Sequence, residues 1–448
     1  MTEVLSELET RLDEPTSKGL AGAVSRAIRD GVLTPGDRLP PIRQVAQQLM
    51  VSPTTVSSAW RLLSRSGVIR PDGRRGTTVA SVPGAGERYR TALRQQPGAR
   101  LDLSTGIPDP ALLPDLSAAL TGLRVPTASS YLDDPVLPEL RDLVLATWPY
   151  PPEELLVVDG AMDAIDLVTR TLLRPGDRVV VEDPAFPPVL DLLEDRNVLV
   201  DAARLDEAGL RLDDLAQCLT RRPVAVLLQP RAHNPTGISM SPSRAAGLAH
   251  LLAGTDCVIV EDDSAGDVAS SSSVSVGTFL PDRVIHVRSY SKSHGPDLRL
   301  AAMSGPAELL APLRRTRALG QGWTSRLLQR VLAELLADEQ AQGAIARARS
   351  EYARRRRLVV DRLAARGILV PGGDGLNIWV PVQDEAAAVL AMSSHGITVT
   401  PGTPFAVHRA ERGGHIRVTT ALLVTDHEQI ADLIAEAATA SSWSSQHR

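Results

Sequence analysis

The stretch of the chain best suited to covalent chemistry runs from residue 289 to residue 299 and reads SYSKSHGPDLR. Lys292 stands there among small hydroxyl residues, shortly after the apolar run 284–287, which is typical of a buried strand. Burial disfavours the charged form of a lysine, and a neutral amine attacks aldehydes such as that of pyridoxal phosphate (PLP). Ser289 and Arg299 offer a hydroxyl and a guanidinium suited to a phosphate. A solvent-exposed loop lysine is the alternative interpretation.

Short runs rich in valine recur between helical stretches, at residues 155–158, 178–181, 225–228 and 258–260. Continuous runs rich in β-branched residues predict parallel strands covered on both faces, and therefore an α/β fold. Ligands of such sheets bind at the carboxyl ends of the strands. The polar motifs of this chain follow the predicted strands directly, which places them at that edge.

Two of these motifs could hold a phosphate and a flat ring. Gly160 opens a helix together with Ala161 and Met162, and a helix N-terminus offers amide donors for phosphate. Phe186 follows the next strand and could stack on a planar ring, although an ordinary core position suits it nearly as well.

Two further motifs could bind the polar atoms of a pyridine ring. The segment 229–237, QPRAHNPTG, predicts a turn with a cis proline in which Asn234 could donate to a phenolate oxygen. The segment 261–263, EDD, places Asp262 where a carboxylate could pair with a protonated ring nitrogen. A plain turn and a helix cap are the respective alternatives.

In this order the motifs resemble the fold-type-I aminotransferase family over residues 101–440. The resemblance implies that Lys292 forms an aldimine with PLP, that Asp262 binds the pyridine nitrogen, and that Asn234 binds the ring oxygen. It also implies that Phe186 stacks on the ring. The phosphate would be held by Ser289, Arg299 and the amides of Gly160, Ala161 and Met162.

The same resemblance assigns two more residues. Tyr131, in YLDDPVLPELR, is similar to the family tyrosine that reaches the phosphate of the other subunit, and Arg417, in HIRV, matches the arginine that clamps a substrate carboxylate. The family commonly has a tyrosine two positions after the aspartate, where this chain has Ser264. That departure disfavours efficient transamination more than cofactor binding.

Residues 12–80 differ from the rest of the chain in charge. Between residues 16 and 80 there are ten basic and three acidic residues, although the whole chain has a net charge of −5. Three amphipathic helices are predicted, the third capped by Ser52, and the turn PDGRRG joins two short strands. This order predicts a winged helix-turn-helix whose last helix enters the major groove of DNA.

The segments GVLTPGDRLPPIRQVA and VSPTTV of this head resemble the GntR family of bacterial regulators. The resemblance implies contact with double-stranded operator DNA by one group of residues, namely Arg43, Ser52, Thr54, Thr55 and, at the hairpin tip, Arg74 and Arg75. A GntR-type head joined to an aminotransferase-like body resembles the MocR subfamily of GntR regulators.

The predicted organisation is a winged helix-turn-helix domain at 12–80, a linker at 81–100, and an aminotransferase-like, mostly parallel α/β domain at 101–445. The resemblance implies a PLP-dependent transcription regulator that forms a head-to-tail homodimer and senses a small amino compound through aldimine exchange at Lys292. An active aminotransferase that also binds DNA, and a regulator that senses PLP itself to control vitamin B6 synthesis, are the alternatives. Two cysteines without metal spacing, no signal peptide pattern and no apolar run of membrane length favour the cytoplasm and predict no metal site.

Overall fold

The computed structural model describes residues 2–12, 14–29, 32–34, 36–65, 69–71, 76–79, 88, 99–121, 130, 133–407 and 414–440. Three predicted site residues, Tyr131, Arg74 and Arg75, lie outside the described residues.

The head contains the predicted helix-turn-helix and wing strands, preceded by one helix that was not predicted. Its elements are α1 (Thr2–Thr10), α2 (Ser17–Arg29), α3 (Ile42–Gln48), α4 (Pro53–Arg65), β1 (Ile69–Pro71) and β2 (Thr77–Val79). Strands β1 and β2 pair in antiparallel fashion. The helices bury one apolar cluster that includes Val24, Val56 and Trp60, as their spacing predicts. Helix α1 adds Leu8, which is fully buried, to this cluster.

The body is built on an eight-stranded sheet whose order is β4-β11-β10-β9-β8-β5-β6-β7. The strands are β4 (Glu154–Val158), β5 (Arg178–Asp183), β6 (Leu199–Asp206), β7 (Gly209–Leu210), β8 (Ala225–Leu228), β9 (Val258–Asp263), β10 (Val284–Ser289) and β11 (Ala301–Gly305). Strands β10, β9, β8, β5 and β6 pair in parallel, whereas β11 is antiparallel to both β10 and β4. All five apolar runs are therefore strands, and they run in one direction.

Helices cover both faces of this sheet. Leu155 and Val157 of β4 belong to one apolar cluster, and Leu156 and Val158 belong to the other. The helices of the body are α5 (Leu116–Leu120), α6 (Pro138–Leu145), α7 (Ala161–Leu172), α8 (Pro187–Asp195), α9 (Leu212–Leu219), α10 (Pro242–Leu252), α11 (Ala307–Ala318), α12 (Arg326–Ala337), α13 (Glu339–Ala365), α14 (Glu385–Ser394) and α15 (His427–Thr439). Burial on both sides explains why the runs 155–158, 179–181, 225–228 and 258–260 are continuously apolar rather than alternating.

A smaller lobe packs its own apolar cluster around short strands. It contains the three-stranded sheet β12 (Asn377–Pro381), β15 (His415–Thr419) and β14 (Thr400–Pro401), and the pair β13 (Ile397–Thr398) with β3 (Leu101–Asp102). Strand β15 carries Arg417. No helix among the described residues is both long and apolar enough to cross a bilayer.

Candidate functional site

The predicted ring-nitrogen ligand, Asp262, is buried near the end of β9, and the described residues form a hydrogen bond to one of its two carboxylate oxygens. Gln229 Nε2 donates to Asp262 Oδ2 over 2.8 Å, and Gln229 Oε1 accepts from the backbone nitrogen of Asn234 at 2.7 Å. Asp262 Oδ1 is buried and has no hydrogen-bond partner within the described ranges. Burial raises the pKa of Asp262 to about 6, although the Gln229 bond opposes that shift. A cationic donor from a ligand would satisfy both the free oxygen and the charge.

Lys292 follows β10 at the same edge of the sheet and is half-buried. Burial lowers the pKa of its amine, the negative charge of Asp262 opposes this, and the positive charge of Arg417 adds to it. Asp262 and Arg417 therefore lie close enough to Lys292 to affect the ionisation of its amine. A lysine with a lowered pKa keeps more of its amine neutral, which is the reactive form towards aldehydes.

Gly160 and Arg299 form a small cradle at the N-terminus of α7. Gly160 has φ +98°, and a Cβ atom placed on it would lie 3.2 Å from Arg299 Nη2. Arg299 Nη2 also lies 3.5 Å from the carbonyl oxygen of Asp159, to which it donates. Ala161 is the first residue of the helix, so its amide and that of Met162 have no partner within the helix itself. A guanidinium beside amides that have no partner within their own helix suits a phosphate group.

Strand register brings Ser289 to the same edge as this cradle. Ser289 pairs with Ala301 of β11, which in turn pairs with Val158 at the end of β4. Ser289 is buried, and its Oγ accepts from Ser291 N over 3.3 Å.

Phe186 lines a mainly apolar cavity together with Asp262, Gln229 and His233. It directly precedes α8, so its position is set by the start of that helix. The aromatic ring of Phe186 and the carboxylate of Asp262 thus share one cavity, as a stacked heteroaromatic ring would require.

Ser264 lies just beyond β9, and its Oγ is buried without a hydrogen-bond partner in the described part of the chain.

Asn234 and Arg417 are joined by a hydrogen bond across the two lobes. Arg417 Nη1 donates to Asn234 Oδ1 over 3.2 Å, and the Asn234–Pro235 peptide is cis, as predicted. Arg417 is buried, and its guanidinium also donates to the carbonyl oxygen of Ser104 and to Thr400 Oγ1. Its Cζ lies 5.1 Å from the centre of the Phe405 ring. Sequence analysis identified Arg417 but missed the groups that anchor it.

A buried ion pair next to Asp262 was also missed. Arg231 binds both oxygens of Asp263, at 3.2 and 2.6 Å, and both side chains are buried. Since Asp263 adjoins Asp262 on β9, this pair fixes the end of the strand that presents the ring-nitrogen ligand.

At the head, three hydroxyl groups cluster at the start of α4. Ser52 Oγ accepts from Thr55 N at 3.0 Å, which confirms the predicted cap, and it lies 2.6 Å from Thr54 Oγ1 and 2.8 Å from Thr55 Oγ1. Ser52 and Thr54 are exposed, and Arg43 is exposed at the start of α3. These groups form a polar, accessible surface at the end of the helix predicted to enter the major groove.

Models of two known protein families match the two halves of the chain. Residues 100–435 match the family model of aminotransferase class I and II, and residues 16–79 match that of bacterial regulatory proteins, gntR family. This chain belongs to the MocR group of GntR-family transcription regulators. The vitamin B6 salvage pathway transcriptional repressor PtsJ of Salmonella typhimurium is 33% identical over 91% of this chain and 95% of its own length.

A further relative is also a regulator, and a solved structure shows the fold of the body. The pyridoxine biosynthesis transcriptional regulator PdxR of Corynebacterium glutamicum is 28% identical over 89% of this chain and 91% of that protein. The structure of Pyrococcus horikoshii kynurenine aminotransferase matches with a TM-score of 0.69, covering 79% of this chain and 92% of that one at 22% identity. That likeness shows that the body has the fold-type-I aminotransferase fold.

Proposed function

We propose that this chain is a transcription regulator that binds double-stranded DNA through its head and carries PLP on Lys292. The observation that carries the proposal is the state of Asp262, whose buried carboxylate has a raised pKa and an oxygen without a partner among the described residues. A buried carboxylate in that state is costly unless a cationic group pairs with it. The protonated nitrogen of a pyridine ring is such a group.

PLP supplies an aldehyde that amines attack reversibly and a ring that withdraws electrons. The chain's residues would orient it: Asp262 at the ring nitrogen, Asn234 at the ring oxygen, and Phe186 against the ring face. Arg299, Ser289 and the amides of Gly160, Ala161 and Met162 would hold the phosphate. We further propose that Tyr131 reaches the phosphate in the partner subunit of a head-to-tail homodimer.

We propose that the signal is a small amino compound that takes the place of Lys292 on the cofactor. An acidic group on that compound would bind Arg417, whose guanidinium is held in place by Asn234, Thr400 and Ser104. Release of the Lys292 amine and closure of the lobe that carries Arg417 would then alter the placement of the heads on DNA.

A second candidate function is favoured by the relatives. PtsJ and PdxR are named as regulators of vitamin B6 salvage and pyridoxine biosynthesis. For this chain we infer, as the alternative, that PLP itself is the signal and that its binding alone changes affinity for DNA.

One titration separates the two functions. Fluorescence anisotropy would measure binding of the apo protein to labelled duplex DNA from the region upstream of its own gene, at one fixed salt concentration because phosphate contacts are salt-dependent. The titration would be repeated with PLP, and with PLP plus single amino acids. A change with PLP alone identifies a PLP sensor, and a change that also requires an amine identifies an amino-compound sensor.

Two variants serve as controls in that titration. Thr54→Ala should weaken DNA binding and leave PLP binding unchanged, whereas Lys292→Ala should bind DNA without responding to PLP. If wild-type protein binds this DNA with the same affinity under all three conditions, the proposed sensing function is wrong.

A further inference from the structure

Gln229 directly follows β8, between the neighbouring strands β5 and β9, and is bonded to both of them. Its backbone nitrogen donates to Glu182 Oε2 of β5 at 2.8 Å. Its side-chain Nε2 donates to Asp262 Oδ2 of β9 at 2.8 Å, and its Oε1 accepts from the backbone nitrogen of Asn234 at 2.7 Å. One buried residue therefore contacts the predicted ring-nitrogen ligand, the predicted ring-oxygen ligand and a second acid.

The direction of the Gln229 amide follows from its partners. The backbone nitrogen of Asn234 is always a donor, so the oxygen of the amide must face it, and Nε2 must face Asp262. The reverse orientation would place two donors against each other. Asp262 Oδ2 is consequently an acceptor from Gln229, and Oδ1, which has no hydrogen-bond partner within the described residues, is the oxygen that a ligand can reach.

Glu182 lines the same cavity as Asp262 but differs from it in charge. Burial, together with the charge of Asp262, raises the pKa of Glu182 well above 4.5, although the bond from Gln229 N opposes this. His233 Nε2 lies 3.4 Å from Glu182 Oε2, and burial lowers the pKa of His233 to about 3. Both shifts favour the neutral forms, so the negative charge of this cavity is concentrated on Asp262.

We propose that Gln229 is a positioning residue for PLP, which turns Asp262 so that Oδ1 faces the ring nitrogen and holds the backbone of Asn234 in register with it. Without the Nε2 donor, the Asp262 carboxylate loses its partner among the described residues and is free to rotate. The identity of the ligand rests on the proposed function, but the bonds of Gln229 are present without it.

The apo protein tests the bond between Gln229 and Asp262 by its dependence on pH. A hydrogen bond to an ionised carboxylate is stronger than one to a neutral carboxyl group. Since the pKa of Asp262 is about 6, its carboxylate is ionised at pH 8 and mainly protonated at pH 4.5. Gln229→Met, which has a similar length and no donor, should therefore lower the melting temperature by roughly 2 °C more at pH 8 than at pH 4.5.

The same substitution in an Asp262→Asn background isolates this bond. The loss of the Asn234 contact does not depend on pH, so Gln229→Met should there cost the same at both pH values. The backbone bond to Glu182 is kept whatever residue stands at 229. The ionisable side chains around Asp262 are likewise unchanged in these variants, namely Lys292, Asp263, His286 and Glu182.

Gln229→Glu is a second variant, which keeps the acceptor for the backbone of Asn234. It replaces the donor by a carboxyl group facing Asp262, and two neighbouring carboxylates repel each other when both are ionised. Its melting temperature should therefore fall further below that of wild type at pH 8 than at pH 4.5, and the difference should shrink when Asp262→Asn is added. Gln217→Met, on the exposed side of α9, should behave as wild type at both pH values.

A PLP titration followed by visible absorbance tests the positioning role itself. PLP should bind Gln229→Met roughly tenfold more weakly than wild type at pH 8, and Gln217→Met as wild type does. Wild-type PLP affinity in Gln229→Met overturns the proposal, and so does a loss of melting temperature that is equal at the two pH values or that keeps its pH dependence in the Asp262→Asn background. Failure of wild type to bind PLP would overturn the proposed function, whereas the melting temperatures of the apo proteins would still decide whether Gln229 stabilises the charge of Asp262.

Discussion

Replacing Asp262 by asparagine should stabilise the apo protein and weaken its affinity for PLP. Burial raises the pKa of Asp262 from the ordinary 3.8 to about 6. A difference of roughly two pKa units corresponds to about 3 kcal/mol of unfavourable free energy for keeping this carboxylate charged in the folded chain. Asparagine has the same shape and no charge, so it removes that cost.

The effect on stability must depend on pH with a definite sign. Between pH 4 and about 6 the folded protein holds a proton on Asp262 that the unfolded chain has released. The stability that this group contributes therefore falls as pH rises through that window and stays low above it. The advantage of Asp262→Asn should be small near pH 4 and should reach up to about 3 kcal/mol at pH 8.

The affinity for PLP should fall in Asp262→Asn, although the apo protein becomes more stable, because the lost charge would pair with the protonated ring nitrogen. A loss of comparable size, about 3 kcal/mol, corresponds to roughly a hundredfold weaker binding. The assay is the apparent melting temperature of apo protein at pH 4.5 and pH 8 at one protein concentration, together with a PLP titration followed by visible absorbance.

Asp263→Asn is the matched control, one residue further along β9. Although burial raises the pKa of Asp263, the Arg231 guanidinium more than offsets this, and the net pKa lies below the ordinary value. Its loss leaves the buried Arg231 guanidinium without this carboxylate and should destabilise the protein by about 3–5 kcal/mol at pH 8. If Asp262→Asn also destabilises the apo protein at pH 8, or leaves PLP affinity unchanged, the role given to Asp262 is wrong.

Two further substitutions test the phosphate cradle and the head. Gly160→Ala forces a side chain into a φ of +98° and against the Arg299 guanidinium, so PLP should bind at least about tenfold more weakly in a titration. Gly254→Ala, where a Cβ would meet nothing within 4 Å, should bind PLP as wild type does, and equal effects of the two would contradict the cradle. Ser52→Ala removes the cap of α4 and should cost the head about 1 kcal/mol of stability, with weaker DNA binding. Ser6→Ala on the exposed side of α1 should change neither the melting temperature nor the DNA affinity, and a null result for Ser52→Ala would refute the capping role.

The strands that carry the site could be predicted because parallel strands covered on both faces contain continuous apolar runs. Strand β11 was missed, since its sequence AAMSG contains no β-branched residue. Its burial comes from its position between β4 and β10, which only the tertiary structure reveals. Helix α1 was also missed, although Leu8 completes the core of the head.

The site residues were recognised by motif, but the residues that hold them in place lie far away in the sequence. Gln229 bonds to Asp262 across 33 positions, and Arg417 donates to Ser104 across 313.

The run of arginines at 354–357 also has contacts that its local sequence does not predict. Arg355 binds Asp109 at 2.8 Å and Arg356 binds backbone carbonyls at 2.9 and 3.0 Å, both deep in the body, whereas Arg354 is exposed. Local sequence does not distinguish these environments.

The central claim, that PLP is carried on Lys292, is open to one direct measurement. The chain contains two lysines, Lys18 and Lys292. Borohydride reduction of PLP-loaded protein would fix the cofactor to the amine that holds it, and peptide mass spectrometry would locate it. We predict a phosphopyridoxyl group on Lys292 in wild type and in Lys18→Arg, and neither this label nor the visible band in Lys292→Ala. A label on Lys18 alone, or none in protein saturated with PLP, would contradict the account.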